Sequence, residues 1–232
     1  MGRKRTFSWR TRIVALLALV LAGAGGWLWW QGQHWTPPRG EFPRQGVLVG
    51  ARDGEADFRA LKAIGADFAY LEASSGASAR DSAFTAGLRR VRASGLPFGV
   101  VHAYDPCVPA ERQAANFLTI VPRDETLLPP AIELDRLAAE CGDPVSEAAV
   151  ESELTTFLNQ VEGHVGKPAV LKISPAFEAR YHIAARIERN LWLERDWLQP
   201  AYAGRPWTLW TANSSLRTAA SDLPLRWVVL QP

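Results

Sequence analysis

Short apolar runs alternate with longer segments of helical periodicity from residue 46 to the end of the chain. Runs of this kind predict buried strands, and the periodic segments between them predict amphipathic helices. The predicted strands are 46–50, 68–71, 98–102, 131–135, 169–173, 191–193, 207–211 and 227–230. The predicted helices are 57–64, 82–93, 111–121, 145–165 and 177–187. Repeated strand–helix units indicate a parallel sheet joined by right-handed crossovers.

The glycine pattern distinguishes between two architectures that such units can form. Neither a G-x-G-x-x-G pattern nor a P-loop follows any predicted strand, which disfavours a doubly wound nucleotide-binding sheet. We therefore expect an α/β fold of the (β/α) barrel type, a flattened version of the TIM barrel. In such a barrel the functional site lies at the C-terminal ends of the strands.

An uncharged apolar run precedes the predicted barrel. Residues 13–30 would form a transmembrane helix of about 27 Å, close to the hydrocarbon thickness of a bilayer. Residues 1–12 contain five basic side chains and should stay cytoplasmic, so the rest of the chain is expected on the other side of the inner membrane. Trp27, Trp29 and Trp30 would lie in the outer aromatic belt.

Two features bear on the boundaries of this N-terminal part. Ala22-Gly23-Ala24 resembles a small-residue cleavage site, so a cleaved signal peptide is the alternative to an uncleaved anchor. Residues 31–45 contain three prolines and two glycines without periodicity, and we expect a linker that clears the membrane surface. In either case residues 46–232 are expected to form one exported domain that faces the periplasm or the cell exterior.

The charge of the chain is unevenly distributed. The formal net charge is +2, but residues 1–45 contain seven basic residues and one acidic residue. Beyond residue 45 there are 19 basic and 23 acidic residues, a net charge of −4. The predicted domain lacks the excess of basic residues that is typical of nucleic-acid binding, so we expect no nucleic acid as a partner.

Cys107 and Cys141 are the two cysteines of the chain. Neither lies in a C-x-x-C or metal-ligand spacing, and we expect neither a metal site nor an organic cofactor. In an oxidising compartment a disulfide is the default, and it would contribute about 3–4 kcal/mol in the chain-entropy model. The alternative is a pair of buried free thiols.

Two acidic residues end the predicted strand 131–135. Side chains two residues apart on a strand point to the same face, so Glu133 and Asp135 would point into one cavity. At the C-terminal end of a barrel strand, two carboxyl groups in one cavity suit general acid–base catalysis. We expect them to be the catalytic pair. The alternative is that they are remnants of a site and are neutralised by basic residues.

Six segments follow one another in the order found in a known family. They are 56–65, 68–73, 94–102, 113–117, 129–135 and 206–210. Together they resemble the glycoside hydrolase family 25 lysozymes, the Chalaropsis-type muramidases, over residues 42–229. The resemblance implies a barrel-like fold that binds peptidoglycan glycan strands and cleaves them after N-acetylmuramic acid. It also implies Asp135 as proton donor and Glu133 as partner carboxylate.

The chain departs from the family at several charged positions. The family has Asp-x-Glu on the fourth strand, whereas here Glu133 precedes Asp135, and the shorter donor reaches about 1.5 Å less far. Leu48 stands where the family has an acidic residue, and Arg226 stands where it has an Asp. Since Leu48 cannot accept a hydrogen bond and a cation lowers the pKa of a neighbouring carboxyl, we expect weakened activity.

Further residues near the strand ends are candidates for substrate binding. They are His102, Tyr104, Trp207, Trp210, Lys172 and Asp53. The aromatic residues and His102 are also consistent with a packed core, and Lys172 with Arg52 would alternatively indicate an acidic glycan. The sequence therefore predicts a membrane-tethered, lysozyme-type hydrolase of peptidoglycan. A catalytically silent glycan-binding or scaffold domain of the same fold is the alternative.

Overall fold

The computed structural model describes residues 9–232. The basic residues Arg3, Lys4 and Arg5 of the predicted cytoplasmic segment lie outside the described residues. The strands are β1 (Gln45–Val49), β2 (Phe68–Ser75), β3 (Ala79–Arg80), β4 (Phe98–Ala103), β5 (Ala131–Leu134), β6 (Val170–Ile173), β7 (Asn190–Glu194), β8 (Leu209–Leu216) and β9 (Leu225–Leu230). The helices are α1 (Trp9–His34), α2 (Phe58–Ala63), α3 (Phe84–Ser94), α4 (Ala110–Ile120), α5 (Glu147–Val165), α6 (Pro175–Tyr181) and α7 (Ile183–Arg186).

Eight strands of the described chain close into one barrel. Their order is β1, β9, β8, β7, β6, β5, β4 and β2, and the pairing of β1 with β2 completes the circle. The short strand β3 forms a hairpin with the end of β2. The predicted α/β barrel is thus confirmed.

β9 departs from the all-parallel sheet that the strand–helix pattern predicts. The other neighbouring barrel strands are parallel, but β9 runs antiparallel to both β8 and β1. The connection between β8 and β9, residues 217–224, is shorter than the dozen or more residues that a parallel crossover requires. The expectation of parallel pairing is therefore wrong for the last strand.

Local signals in the sequence set the helix ends. The Ser146 hydroxyl caps α5 by accepting the Ala149 N–H at 3.2 Å, and Gly166 ends it in the left-handed region at φ 75°. The single helix predicted over 177–187 is divided into α6 and α7. His182 lies between them at φ 51°, so the regular helical backbone is interrupted there.

Alternation along the strands divides the buried residues into two layers. On β5, Ile132 and Leu134 pack outward against the helices, whereas Ala131 points into the barrel. We call the inner cluster the apolar layer. It consists of Leu48, Phe68, Tyr70, Val101, Ala131, Val170, Trp192, Leu209 and Val228. The barrel is therefore a packed core up to the level of these residues.

Residues 35–44 cover the outer wall at β8, which has no crossover helix. The Phe42 ring lies 6.1 Å from the ring of Trp207 and 5.6 Å from that of Trp210, between centroids. The Trp35 ring lies 6.5 Å from that of Trp210. The part of the chain predicted to be a linker thus packs against the barrel, because exposed tryptophans on the wall would otherwise face water.

α1 contains a stretch long and apolar enough to cross a membrane. This stretch, Arg12–His34, is not buried by any other part of the described chain. Its last turn nevertheless contacts the barrel, because Nδ2 of Asn213 donates to the carbonyl oxygens of Gly32 and Trp35, each at 2.8 Å. The C-terminal end of α1 is therefore attached to the end of β8.

Candidate active site

Charged side chains form a ring above the apolar layer, at the C-terminal ends of the parallel strands. We call it the charged ring. It consists of Asp53, Glu72, Glu133, Lys172, Glu194 and Arg226. Five of these lie two residues along a strand from a member of the apolar layer, for example Glu133 after Ala131 and Glu194 after Trp192. The two-residue period of a strand therefore places them inside the barrel mouth.

Lys172 connects two carboxylates in one half of the ring. It lies opposite Glu133 in the ladder between β5 and β6. Its Nζ donates to Oε1 of Glu133 at 2.6 Å and lies 2.8 Å from Oε2 of Glu194. The Lys172 side chain is 3% exposed, so this cation is compensated almost entirely by protein carboxylates.

These contacts decide the protonation of Glu133. Burial by itself would raise the pKa of the carboxyl, but the charge and hydrogen bond of Lys172, with the charges of Arg226 and Arg52, hold its pKa below the usual value. Burial would lower the pKa of Lys172, yet Glu133 and Glu194 raise it above the usual value. Glu133 is therefore a carboxylate and Lys172 an ammonium at neutral pH.

Arg226 occupies the other half of the ring, beside Leu48 in the ladder of β1 and β9. Its guanidinium contacts Oε1 of Glu72 at 2.6 Å and also pairs with the Asp53 carboxylate. Asp53 in turn accepts the Gly50 N–H at 2.6 Å. A Cβ on Gly50 would lie 1.9 Å from Oε2 of Glu72, so a side chain at this position would displace the Glu72 carboxylate. The buried cation is thus matched by two acids.

Asp135 differs from every member of the ring. It follows β5 directly, and its side chain is exposed. The neighbouring Arg136 pairs with Asp105 instead, and Asp135 takes part in no ion pair within residues 9–232. This carboxyl is therefore accessible to solvent and to a ligand.

Glu133 and Asp135 line the same groove. The groove has a volume of about 340 Å³ and lies at the ends of β2, β4 and β5. Its other lining residues are Arg52, Glu72, Ser74, Ser75, Ala79, Arg80, Asp81, Val101 and Ala103. A larger hollow of about 480 Å³ lies outside the barrel beside α2 and contains none of the predicted site residues. The groove is therefore a concave surface at the barrel mouth that presents both carboxyl groups.

Four of the predicted substrate-binding residues lie in the outer layer and do not line the groove. His102 is fully buried, with its Nδ1 2.8 Å from the Ser74 hydroxyl, and burial lowers its pKa to about 4 despite a hydrogen bond to Gln113. Tyr104 packs against Phe157. Trp207 and Trp210 lie under Phe42 on the opposite wall. Of the six candidates, the structure brings Asp53 and Lys172 to the barrel mouth.

Sequence reasoning did not assign Glu194 or the β2–β3 hairpin to the site. Glu194 follows the predicted strand 191–193 by one residue, and its position two residues after the inward-facing Trp192 is the signal that locates it. The hairpin contributes Ala79 and Arg80 to one wall of the groove, and no sequence pattern indicated that it folds over the barrel end.

The Cys107–Cys141 disulfide joins the loops that continue from two groove strands. The Cα atoms are 5.3 Å apart, and the bridge spans 34 residues of sequence. Cys107 lies in the loop after β4, and Cys141 lies in the loop after β5. The ion pair between Arg136 and Asp105 connects the same two loops. The predicted disulfide is confirmed, and it links the segment that follows Asp135 to the loop after β4.

The described residues contain no group of three or more His, Cys, Asp or Glu side chains that could hold a metal ion.

The model of the family "Glycosyl hydrolases family 25" matches residues 49–219. No curated protein matches the chain.

Several solved structures share the fold. A family 25 glycosyl hydrolase from Bacillus anthracis has a TM-score of 0.77 and 23% identity, covering 86% of this chain and 93% of its own. A bacterial lysozyme from Streptomyces coelicolor has a TM-score of 0.72 and 17% identity, covering 82% and 92%. A family GH25 lysozyme from Aspergillus fumigatus has a TM-score of 0.66 and 17% identity, covering 82% and 94%.

Proposed function

Because the chain belongs to glycosyl hydrolases family 25, we propose that it is an exported, membrane-tethered lysozyme-type domain that hydrolyses the glycan strands of peptidoglycan. One observation carries this proposal. Glu133 and Asp135, the only pair of acids that the strand pattern predicts to be catalytic, both line the groove at the end of β5. The similar structures from Streptomyces coelicolor and Aspergillus fumigatus are lysozymes, which supports peptidoglycan as the substrate.

Asp135 is the residue suited to donate the proton. Its exposed carboxyl at the rim of the groove can reach a glycosidic oxygen of a strand that lies across the barrel end. Glu133 is suited to the second role, because a carboxylate with a lowered pKa stays charged and stabilises the positive charge that develops on the sugar ring. The two positions, one exposed at the rim and one buried against a cation, thus suit the two acids to different roles.

The charged ring also limits the rate. The Nζ atom of Lys172 lies 2.6 Å from Glu133, so part of the negative field that would act on the sugar ring is cancelled. Arg226 is a further cation in the mouth, and Leu48 contributes no charge or hydrogen bond. We therefore expect turnover to be slower than in an enzyme whose barrel mouth contains unpaired acids.

The experiment measures reducing ends released from purified peptidoglycan sacculi by the full chain in detergent. Asp135→Asn should lower the rate about 100-fold or more, because it removes the proton of the general acid. Glu133→Gln should also lower the rate, because it removes the charge. Asp143→Asn changes an exposed Asp outside the groove and is the matched control, which should keep the rate. Release that is the same in all three variants would refute the assignment.

A silent glycan-binding domain is the second candidate, and the ion pair between Glu133 and Lys172 favours it. In this case the chain would sediment with sacculi and release no reducing ends. Ala79→Trp, which places an indole on the exposed wall of the groove, should abolish sedimentation with sacculi. Ala139→Trp, at an exposed position outside the groove, should not. Binding that resists Ala79→Trp would contradict a role for the groove in either candidate function.

A further inference from the structure

The loop between β7 and β8 presents two large apolar side chains to the outside. Trp197 is 53% exposed and Leu198 is 57% exposed. Trp197 has φ 64°, a left-handed conformation that is rare for a bulky residue. Its backbone N–H is held by the Ala212 carbonyl at 2.8 Å. The loop is therefore fixed in a conformation that keeps Trp197 at the surface rather than in the core.

Trp197 lies against the last turn of α1. Its Nε1 donates to the Gly32 carbonyl at 3.3 Å. A Cβ on Gly32 would lie 3.1 Å from the indole ring, so glycine at this position lets the ring approach the helix backbone closely. Asn213 donates to the same carbonyl from β8. These contacts attach the end of α1 to the edge of the barrel where β7 and β8 end.

The position along α1 matches that of the interfacial tryptophans. Trp27, Trp29 and Trp30 are exposed on the helix, at the end of the candidate membrane span. Gly32 lies two residues beyond Trp30, which is about 3 Å further along a helix axis. Trp197 therefore meets α1 at the level where tryptophan side chains are typical of the boundary between lipid and water.

The charges around the loop suit a lipid surface. The Asp196 carboxylate accepts the N–H and the hydroxyl of Ser214, at 2.7 and 2.8 Å, so this acid is already hydrogen-bonded. Arg195 and Arg217 are exposed on the same edge. An apolar pair beside exposed cations is complementary to acyl chains and phosphate headgroups. A bilayer that surrounds α1 would also be contiguous with Trp197, because the ring touches the helix.

We propose that Trp197 and Leu198 form a second membrane contact, inserting into the interfacial layer of the leaflet from which α1 emerges. This inference rests on the proposed membrane anchor. The groove opens at the same end of the barrel, since it is lined by the ends of β2, β4 and β5. The contact would therefore hold the groove close to the membrane surface and restrict the domain to glycan within that distance.

The test places one fluorescent nitrobenzoxadiazole label at a time on the full chain in phosphatidylcholine–phosphatidylglycerol vesicles. Leu198→Cys reports on the loop, and Leu21→Cys reports on the middle of α1. Leu118→Cys is the control, because Leu118 is exposed on α4, which follows β4 and lies across the barrel from β8. Each label is challenged with lipids that carry a nitroxide either near the headgroup or deep in the acyl chain.

The label at 198 should be quenched about twofold more by the shallow nitroxide than by the deep one, as expected for a residue at the interface. The label at 21 should show the reverse order, and the label at 118 should not be quenched by either lipid. Quenching at 21 without quenching at 198 would overturn the second contact and leave the anchor intact. No quenching at either position would refute both. A blue shift at 198 without lipid quenching would indicate contact with a second copy and overturn the proposal.

Discussion

The apolar layer and the charged ring occupy the same barrel interior, one directly above the other, yet different forces hold them. The apolar layer is held by close packing of large side chains such as Trp192, which is 0% exposed. The charged ring is held by pairing, so that each cation contacts two carboxylates. Closure of the barrel therefore depends on the packing of the apolar layer. The side chains of the charged ring can differ as long as each buried charge keeps an opposite partner.

This difference explains how the chain can keep the fold of family 25 with a buried arginine in its barrel mouth. Arg226 next to Leu48 would be unfavourable if it were unpaired, because a buried cation without a partner costs several kcal/mol. Asp53 and Glu72 supply the compensation. The consequence is a barrel mouth whose buried cations are paired with carboxylates, with Asp135 as an exposed acid outside it.

The largest effect is expected from the apolar layer. Trp192→Ala should lower the free energy of unfolding by about 3–5 kcal/mol, because it opens a cavity in the barrel interior. It also removes the hydrogen bond from Nε1 to the Thr211 hydroxyl at 2.8 Å. Urea denaturation of the full chain in detergent measures the change. Trp192→Phe is the control that retains much of the volume and should lose less. Equal losses in both variants would contradict packing as the cause.

The next largest effect on stability is expected from a substitution in the charged ring. Arg226→Met should lower the free energy of unfolding by about 3 kcal/mol, because it leaves Asp53 and Glu72 facing each other in a buried site. The value lies at the low end for broken buried pairs because Arg52 is 3.4 Å from Glu72 and remains.

The double variant Arg226→Met with Asp53→Asn should recover part of this loss in the same urea assay, because it removes one of the two unpaired charges. A loss below about 1 kcal/mol in the single variant would show that the ring is solvated rather than held by pairing.

A smaller effect on the free energy of unfolding is expected when the pH is lowered. The pKa of Glu133 is lower in the folded chain than its usual value of 4.5, so the unfolded chain takes up the proton more readily. The stability that Glu133 contributes is present above pH 4.5 and is lost as the pH falls through the folded pKa. Wild type should therefore be more stable than Glu133→Gln at pH 7, and the two should converge below pH 4.5. A difference that is constant across this range would refute the linkage.

The smallest effect on stability is expected outside the ring. Asp135→Asn should change the free energy of unfolding by less than about 0.5 kcal/mol, because the exposed carboxyl takes part in no ion pair of the described chain. Thermal denaturation measures this directly. Together with a large loss of hydrolysis, the result would separate a catalytic acid from a structural one. A substantial loss of stability would place Asp135 with the ring instead.

The sequence predicted which strand residues face the barrel interior where an apolar residue two positions earlier on the same strand also faces inward. Glu133 and Lys172 face inward as expected, because each lies two residues after a small or branched apolar residue of the barrel interior. The disulfide was also predictable, since two cysteines in an oxidising compartment leave one pairing.

The orientation of His102 could not be predicted in this way. The residues before it, Phe98 to Val101, are all apolar or glycine, because both faces of β4 are buried. A strand buried on both faces carries no alternation that would tell inward from outward positions. The outward orientation of Trp210 could not be predicted for the same reason. The segment that packs over it, residues 35–44, also has the composition of a linker.

The Cys107–Cys141 bridge makes the position of the loop that carries Asp135 depend on the redox conditions around the chain. Its two loops continue from β4 and β5, and the bridge joins them covalently beside the ion pair between Arg136 and Asp105. With the thiols reduced, the loop that carries Asp135 would lose its covalent link to the loop after β4 and keep the ion pair between Arg136 and Asp105. In the proposed exported domain, oxidation after transfer would therefore restrict the motion of the rim that carries Asp135.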